Sequence, residues 1–192
     1  MNSKNEKLYT RETLLIKLRN QHDDDSWEEF VSYYSNYVFA VLKGMGVEFD
    51  DLDDIKQSIL LKIWKKIPDF DYNPEKGSFR AWLCTVIRNT VYNYFRDRVS
   101  TYELKDEDSI NAEVDKIAQR EWMTHIASLA WENIKGDFSD SVRETYIQIS
   151  QGRKSEEIAA DLGISPGSVY VYKERVQKAL RKEVRRLDRE LG

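Results

Sequence analysis

With 192 residues, 41% of them hydrophobic and 12% aromatic, the chain can bury one large core or two small ones, and 33% charged residues with only 3 Pro and 8 Gly favour an all-α protein over a sheet protein. A single cysteine, Cys84, excludes an internal disulfide and fits a reducing compartment, while His22 and His125 alone cannot make a Cys/His zinc site, so no cofactor or metal is expected. Met1 to Lys17 lacks a signal-peptide core and no apolar run approaches the roughly 18 residues of a membrane span, so the chain is expected to be cytoplasmic.

In chain order, residues 10–20 read as a short helix with Leu14, Leu15 and Leu18 on one side. Asp25 or Ser26 can cap a second helix in which Trp27, Phe30, Tyr34, Tyr37, Val38 and Val41 recur at helical spacing, and Gly44 and Gly46 end it. Asp50 or Asp51 can cap a third, striped by Leu52, Ile55, Ile59, Leu60, Ile63 and Trp64 and stopped by Pro68. Asp69 to Ser78 holds Asn73-Pro74 and Gly77 and reads as an ordered loop. A fourth helix is expected from about Ser78 to Arg98. Residues 99–114 are polar and acidic and read as a linker between two small helical domains, 1–98 and 115–192. Helical periodicity resumes near Asp115 with Ile117, Trp122, Ile126, Leu129 and Trp131, and a further helix is expected over 139–150.

The net charge of −4 disfavours a simple nucleic-acid binder, but the charge is unevenly spread. From Lys76 to Arg98 five basic residues face one acid, and from Gly152 to Gly192 ten basic residues face seven acids. Two basic islands in an acidic chain suggest two polyanion contacts.

The second island contains the pattern of a helix-turn-helix over residues 155–187. Ser155 can cap its first helix, Ile158 and Leu162 point inward, and Ala159 permits close helix crossing. Gly163 suits a turn that needs positive φ, Ser165 can cap the second helix, and Pro166 suits its first position. Val169, Tyr172, Val176 and Leu180 form its buried stripe. Ser165, Gly167, Ser168, Tyr170, Val171, Lys173, Glu174 and Arg175 then lie toward the half of the helix that enters the major groove in such motifs, and Lys178, Arg181 and Lys182 can add phosphate contacts. A plain helical hairpin with solvated charges is the bland alternative, and Arg185, Arg186 and Arg189 fit a solvated helix tail equally well.

On the fourth helix, Phe79, Trp82, Leu83, Val86, Ile87, Val91, Tyr94 and Phe95 form an apolar face. Arg88, Asn89, Tyr92, Asn93 and Arg96 lie on the other, with Asn89, Asn93 and Arg96 at i, i+4, i+7. Amides can read base edges, arginine can hold phosphate and tyrosine can stack on an unpaired base. An ordinary polar helix face is the competing reading. No nucleophile–base or metal constellation supports an enzyme.

The runs DDLDDIKQSILLKIWKKIPDF and GSFRAWLCTVIRNTVYNYFRDR closely resemble the second conserved region of bacterial sigma-70 factors, and the final segment resembles their fourth region. With a short linker and little else, the layout resembles the extracytoplasmic-function (ECF) group. The resemblance implies core RNA polymerase and promoter DNA as partners, and an anti-sigma factor as a regulator. It assigns Asp54, Ile55 and Gln57, with Leu61 and Trp64 following, to the grip on core polymerase; for Asp54 a favourable helix-start charge is the plain alternative. It assigns Phe79, Trp82, Leu83 and Asn89 to promoter melting and −10 recognition, Phe70–Ser78 to a loop holding a flipped-out base, and the helix-turn-helix to the −35 element. Tyr170, Val171 and Tyr172 depart from the arginine-rich recognition helix of many members. The expected function is therefore a sigma factor that directs core polymerase to promoters and helps open the strands. A conventional helix-turn-helix regulator that does not bind core polymerase, or a helical adaptor that binds only protein, are the alternatives.

Overall fold

A computed structural model describes residues 11–70, 78–98 and 107–192. Among these, regular structure is helical throughout: α1 (Arg11–Leu18), α2 (Asp24–Gly44), α3 (Leu52–Lys66), α4 (Phe79–Arg98), α5 (Glu107–Ile134), α6 (Asp140–Ser150), α7 (Ser155–Leu162) and α8 (Pro166–Leu191). The chain divides into two compact units, Met1–His125 with Glu190–Gly192, and Ile126–Arg189. No described helix is long and apolar enough to cross a membrane, and no group of three or more described His, Cys, Asp or Glu residues is placed to hold a metal.

The first unit is built on aromatics. Phe30, Tyr34 and Tyr37 on α2, Phe79 on α4 and Trp122 on α5 are all buried. Phe30 and Tyr34 meet at 4.7 Å, Tyr34 meets Phe79 edge-on at 5.4 Å, and Tyr37 meets Trp122 edge-on at 5.2 Å. These separations lie in the favourable range for offset and T-shaped pairs. The i, i+4, i+7 spacing of Phe30, Tyr34 and Tyr37 is what turns all three to one side of α2. Cap positions differ from the sequence expectation. Asp23 caps α2, accepting from the Ser26 backbone N–H at 3.0 Å and the Ser26 hydroxyl at 2.9 Å, so Ser26 is the capped partner and not the cap.

Half of the expected linker is helix. Residues 107–114 form the first two turns of α5, while 99–106 lie outside the described residues. The two units part after His125, within α5, and not across 99–114. Local polarity hid this start. Val114, Ile117 and Ala118 are buried, and Ile117 lies so close to Gly44 that a methyl there would come within 2.7 Å of its Cγ2. Tertiary burial has overridden weak local periodicity.

The second unit has two apolar clusters. Ile134, Phe138, Val142 and Val176 form one, flanked by Trp131, Tyr146, Tyr172, Ala179 and Leu180. Ile158, Ala159 and Val169 form the other, flanked by Ile149, Leu162 and Ile164. Together they seat α6, α7 and α8 as the stripe of the sequence requires.

Candidate nucleic-acid interface

The α3 surface is an outward stripe. Asp54, Gln57 and Leu61 are exposed at i, i+3, i+7, while Leu52, Ile59 and Ile63 are buried on the opposite side. Leu61 is 52% exposed, an apolar group among polar neighbours. Ile55 and Trp64 are half-buried. Trp64 stands edge-on to Trp27 at 5.3 Å and its carbonyl accepts from the Gln21 side chain at 3.2 Å, which fixes the end of the stripe. Asp51 does not cap α3 with its side chain. Its carboxylate instead accepts from the Tyr94 hydroxyl at 2.8 Å and pairs with Arg98 at 2.5 Å. Lys62 donates to the Thr90 hydroxyl at 2.9 Å. These ties, between residues 28 to 47 apart in sequence, carry no spacing signal and were invisible in it. Just ahead of α3, Phe49 is 82% exposed beside Glu48, Asp50 and Asp51.

On α4 the structure separates residues that the sequence grouped. Asn89, Asn93 and Arg96 are exposed and aligned, and among the described residues neither amide has a hydrogen-bond partner. Arg96 lies 5.9 Å over the Tyr92 ring, which is half-buried. Its Nε also reaches the Asp97 carboxylate at 3.4 Å. Arg88 points elsewhere: it pairs with Asp115 of α5, and its Nε is buried with no hydrogen-bond partner. It borders a cavity of about 350 Å³ lined also by Tyr37, Arg80, Cys84 and Gln119. Phe79 has no exposed surface at all. It is therefore a core residue that positions its neighbours and does not itself meet nucleic acid, because its ring fills the space between Phe30, Tyr34 and Trp82. Phe70 and Trp82 are half-buried and pack at 4.6 Å. Residues 71–77, the body of the expected base-holding loop, lie outside the described residues. Its first anchor is defined: Arg19 donates to the Phe70 carbonyl at 2.7 Å.

Behind this face, burial raises the Cys84 thiol and the Tyr37 hydroxyl above their ordinary ranges. The two groups lie 3.4 Å apart, and the Tyr37 hydroxyl also donates to the Ala118 carbonyl at 3.3 Å. Both stay neutral at physiological pH and serve as structural contacts. Burial lowers the His125 imidazole below 6.5, opposed by a hydrogen bond with the Tyr33 backbone, and its Nε2 is buried without a partner.

In the second unit, α7 ends at Gly163 in the left-handed conformation, φ 63°. Glycine adopts it without the Cβ clash of other residues. Lys154, not Ser155, occupies the cap position of α7, with no side-chain cap bond. Ser165 does cap α8: its Oγ accepts from the Ser168 N–H at 3.0 Å, and the Ser165 and Ser168 hydroxyls lie 2.9 Å apart. Arg153 fixes the entry to α7, donating to Gln148 at 2.6 Å and pairing with Asp161 at 2.6 Å. Gly167, Tyr170, Val171, Glu174, Arg175 and Lys178 are exposed, whereas Ser168 and Lys173 are half-buried. Arg175 lies 5.5 Å over the Phe138 ring, which ties its guanidinium to the unit's own core.

Residues 30–101 match the family model described as Sigma-70 region 2. The matched segment takes in most of α2 and all of α3 and α4, the helices that carry the two outward faces of the first unit. Over that segment the chain is similar to region 2 of the sigma-70 family. No curated protein matches the chain. The solved structure of CnrH in complex with the cytosolic domain of CnrY resembles it at 20% identity over 90% of this chain and 95% of that one, with a TM-score of 0.39. A likeness at that level carries no functional argument.

Proposed function

We propose that this protein is an ECF-type sigma factor that binds core RNA polymerase through α3, contacts and helps open the −10 element through α4, and docks α8 on the −35 element. The observation that carries the reading is the family match over the helices that expose both stripes, Asp54–Gln57–Leu61 and Asn89–Asn93–Arg96. Each stripe has suitable chemistry. An exposed leucine flanked by a carboxylate and an amide suits a protein groove with a basic rim. Two unpartnered amides one turn apart suit base edges, with Arg96 beside them for phosphate. Phe70, just before residues 71–77, and Trp82 on α4 are half-buried against each other and suit a wall against which an unpaired base can stack. The unpaired cations of α8 supply the salt-sensitive part of the −35 contact. An anti-sigma regulator, implied by the family, would act by covering one of these surfaces.

The deciding experiment is in vitro transcription with core polymerase and a promoter library, with core binding measured alongside. Specific, chain-dependent transcripts are expected. DNA binding without a stable core complex would instead identify a conventional helix-turn-helix regulator. The finer role of α4 is tested by Asn89→Ala. Open-complex formation, read with permanganate on unpaired thymines, is expected to fall about tenfold while core binding is retained. Unchanged melting would remove Asn89 from strand opening.

A further inference from the structure

Two apolar side chains of α8 are left uncovered by their own unit. Tyr170 is 64% exposed and Val171 59% exposed. The inward side of the helix is already filled by Val169 and Val176, both completely buried. Nothing in the fold asks for valine at 171, since a β-branched residue on an exposed helical position is a weaker helix former than alanine or lysine. Gly167, one turn earlier, is equally unexplained by packing: a Cβ there would meet only the Ser165 Oγ, at an ordinary 3.6 Å. Its bare backbone leaves the start of the helix open to close approach. Further along, Lys178, Arg181 and Lys182 are exposed, and among the described residues none of them is in an ion pair.

Apolar groups beside free cations fit a polyanion that itself carries apolar groups. The major groove is such a surface, and the thymine C5 methyl is the apolar feature that distinguishes one base edge there from the others. We infer that Tyr170 and Val171 read thymine methyl groups in the upstream promoter element, with the exposed Glu174, one turn beyond Tyr170, accepting from the amino group of cytosine or adenine. This rests on the proposed −35 role of α8 and adds to it the chemistry of the sequence read. Selectivity comes from apolar contact in place of arginine–guanine pairing.

The test uses holoenzyme assembled from this chain and core polymerase, on duplexes selected from randomised upstream elements. Each thymine of the selected element is then replaced by deoxyuridine, which removes only the methyl. At one or two positions the replacement is expected to weaken binding about fourfold per methyl. Val171→Ala should bring the thymine-to-uridine ratio close to one at its position, whereas Lys178→Ala should weaken both duplexes equally. Sequence-selective binding with equal affinity for thymine and uridine duplexes overturns the methyl contact alone. A Val171→Ala variant that keeps the full ratio, or that loses core binding instead, also overturns it and assigns the patch to a protein surface. Holoenzyme that binds all upstream sequences equally overturns the −35 role of α8 itself.

Discussion

The polar faces of α4 and α8 make a useful contrast. On α4 the basic residues are largely committed within the molecule: Arg88 to Asp115, Arg98 to Asp51 and Glu48, and Arg96 to Tyr92 and Asp97. What remains unpartnered on that face is the pair of amides, Asn89 and Asn93. On α8 Lys178, Arg181 and Lys182 are exposed and in no ion pair among the described residues, and Tyr170 and Val171 stand exposed on the same helix. Net charge, five basic residues less one acid in the first island and ten less seven in the second, rates the two islands nearly alike. The structure divides them into a surface that offers neutral hydrogen bonding on a stiff aromatic base and one that offers charge with apolar contact. In the proposed function, long-range phosphate attraction belongs mainly to the second unit, and short-range, geometry-dependent contact to the first.

That contrast can be broken most forcefully at its base. Phe79→Ala removes a fully buried ring that contacts Phe30, Tyr34, Phe70 and Trp82, and should destabilise the first unit by about 3–5 kcal/mol. Urea unfolding followed by tryptophan fluorescence should show the first unit unfolding early, with the transition of the second unit unmoved. Loss of DNA contact without loss of stability would show that the ring is exposed after all. A smaller effect is expected at the turn of the second unit. Gly163→Ala places a Cβ on a backbone at φ 63° and should cost about 1–2 kcal/mol, read as a lower thermal midpoint for that unit alone. An unchanged midpoint would mean that the turn relaxes to accommodate alanine. The smallest effect concerns His125. Its folded-state imidazole is held below 6.5 by burial, so the unfolded chain binds the extra proton first. Its contribution is complete above about pH 6.5 and declines as pH falls below that value toward the folded pKa. His125→Gln should flatten this acid-side slope in denaturation midpoints measured at several pH values.

The parts legible in the sequence were those governed by local chemistry. Gly163, Ser165 and Pro166 announced the turn and start of α8 because positive φ, side-chain capping and a fixed φ are properties of single residues. The stripes of α2, α3 and α4 were visible because burial on one side imposes helical spacing. The start of α5 was not, since residues 107–114 are largely polar and only tertiary burial, with Ile117 set against Gly44 of α2, accounts for Val114 and Ile117. For the same reason Arg88 read as an outward cation, although its partner lies 27 residues away. Phe79 was assigned to DNA by resemblance, while its spacing with Leu83, Val86 and Ile87 already placed it in the core.

One consequence concerns mechanics. Lys62–Thr90, Asp51–Tyr94 and Asp51–Arg98 brace α3 against α4 at two levels along their length. Sliding one helix past the other would break all three contacts. Under the proposed function, seating of the α3 stripe at Leu61 and aim of the α4 stripe at Asn89 would be set together by these contacts.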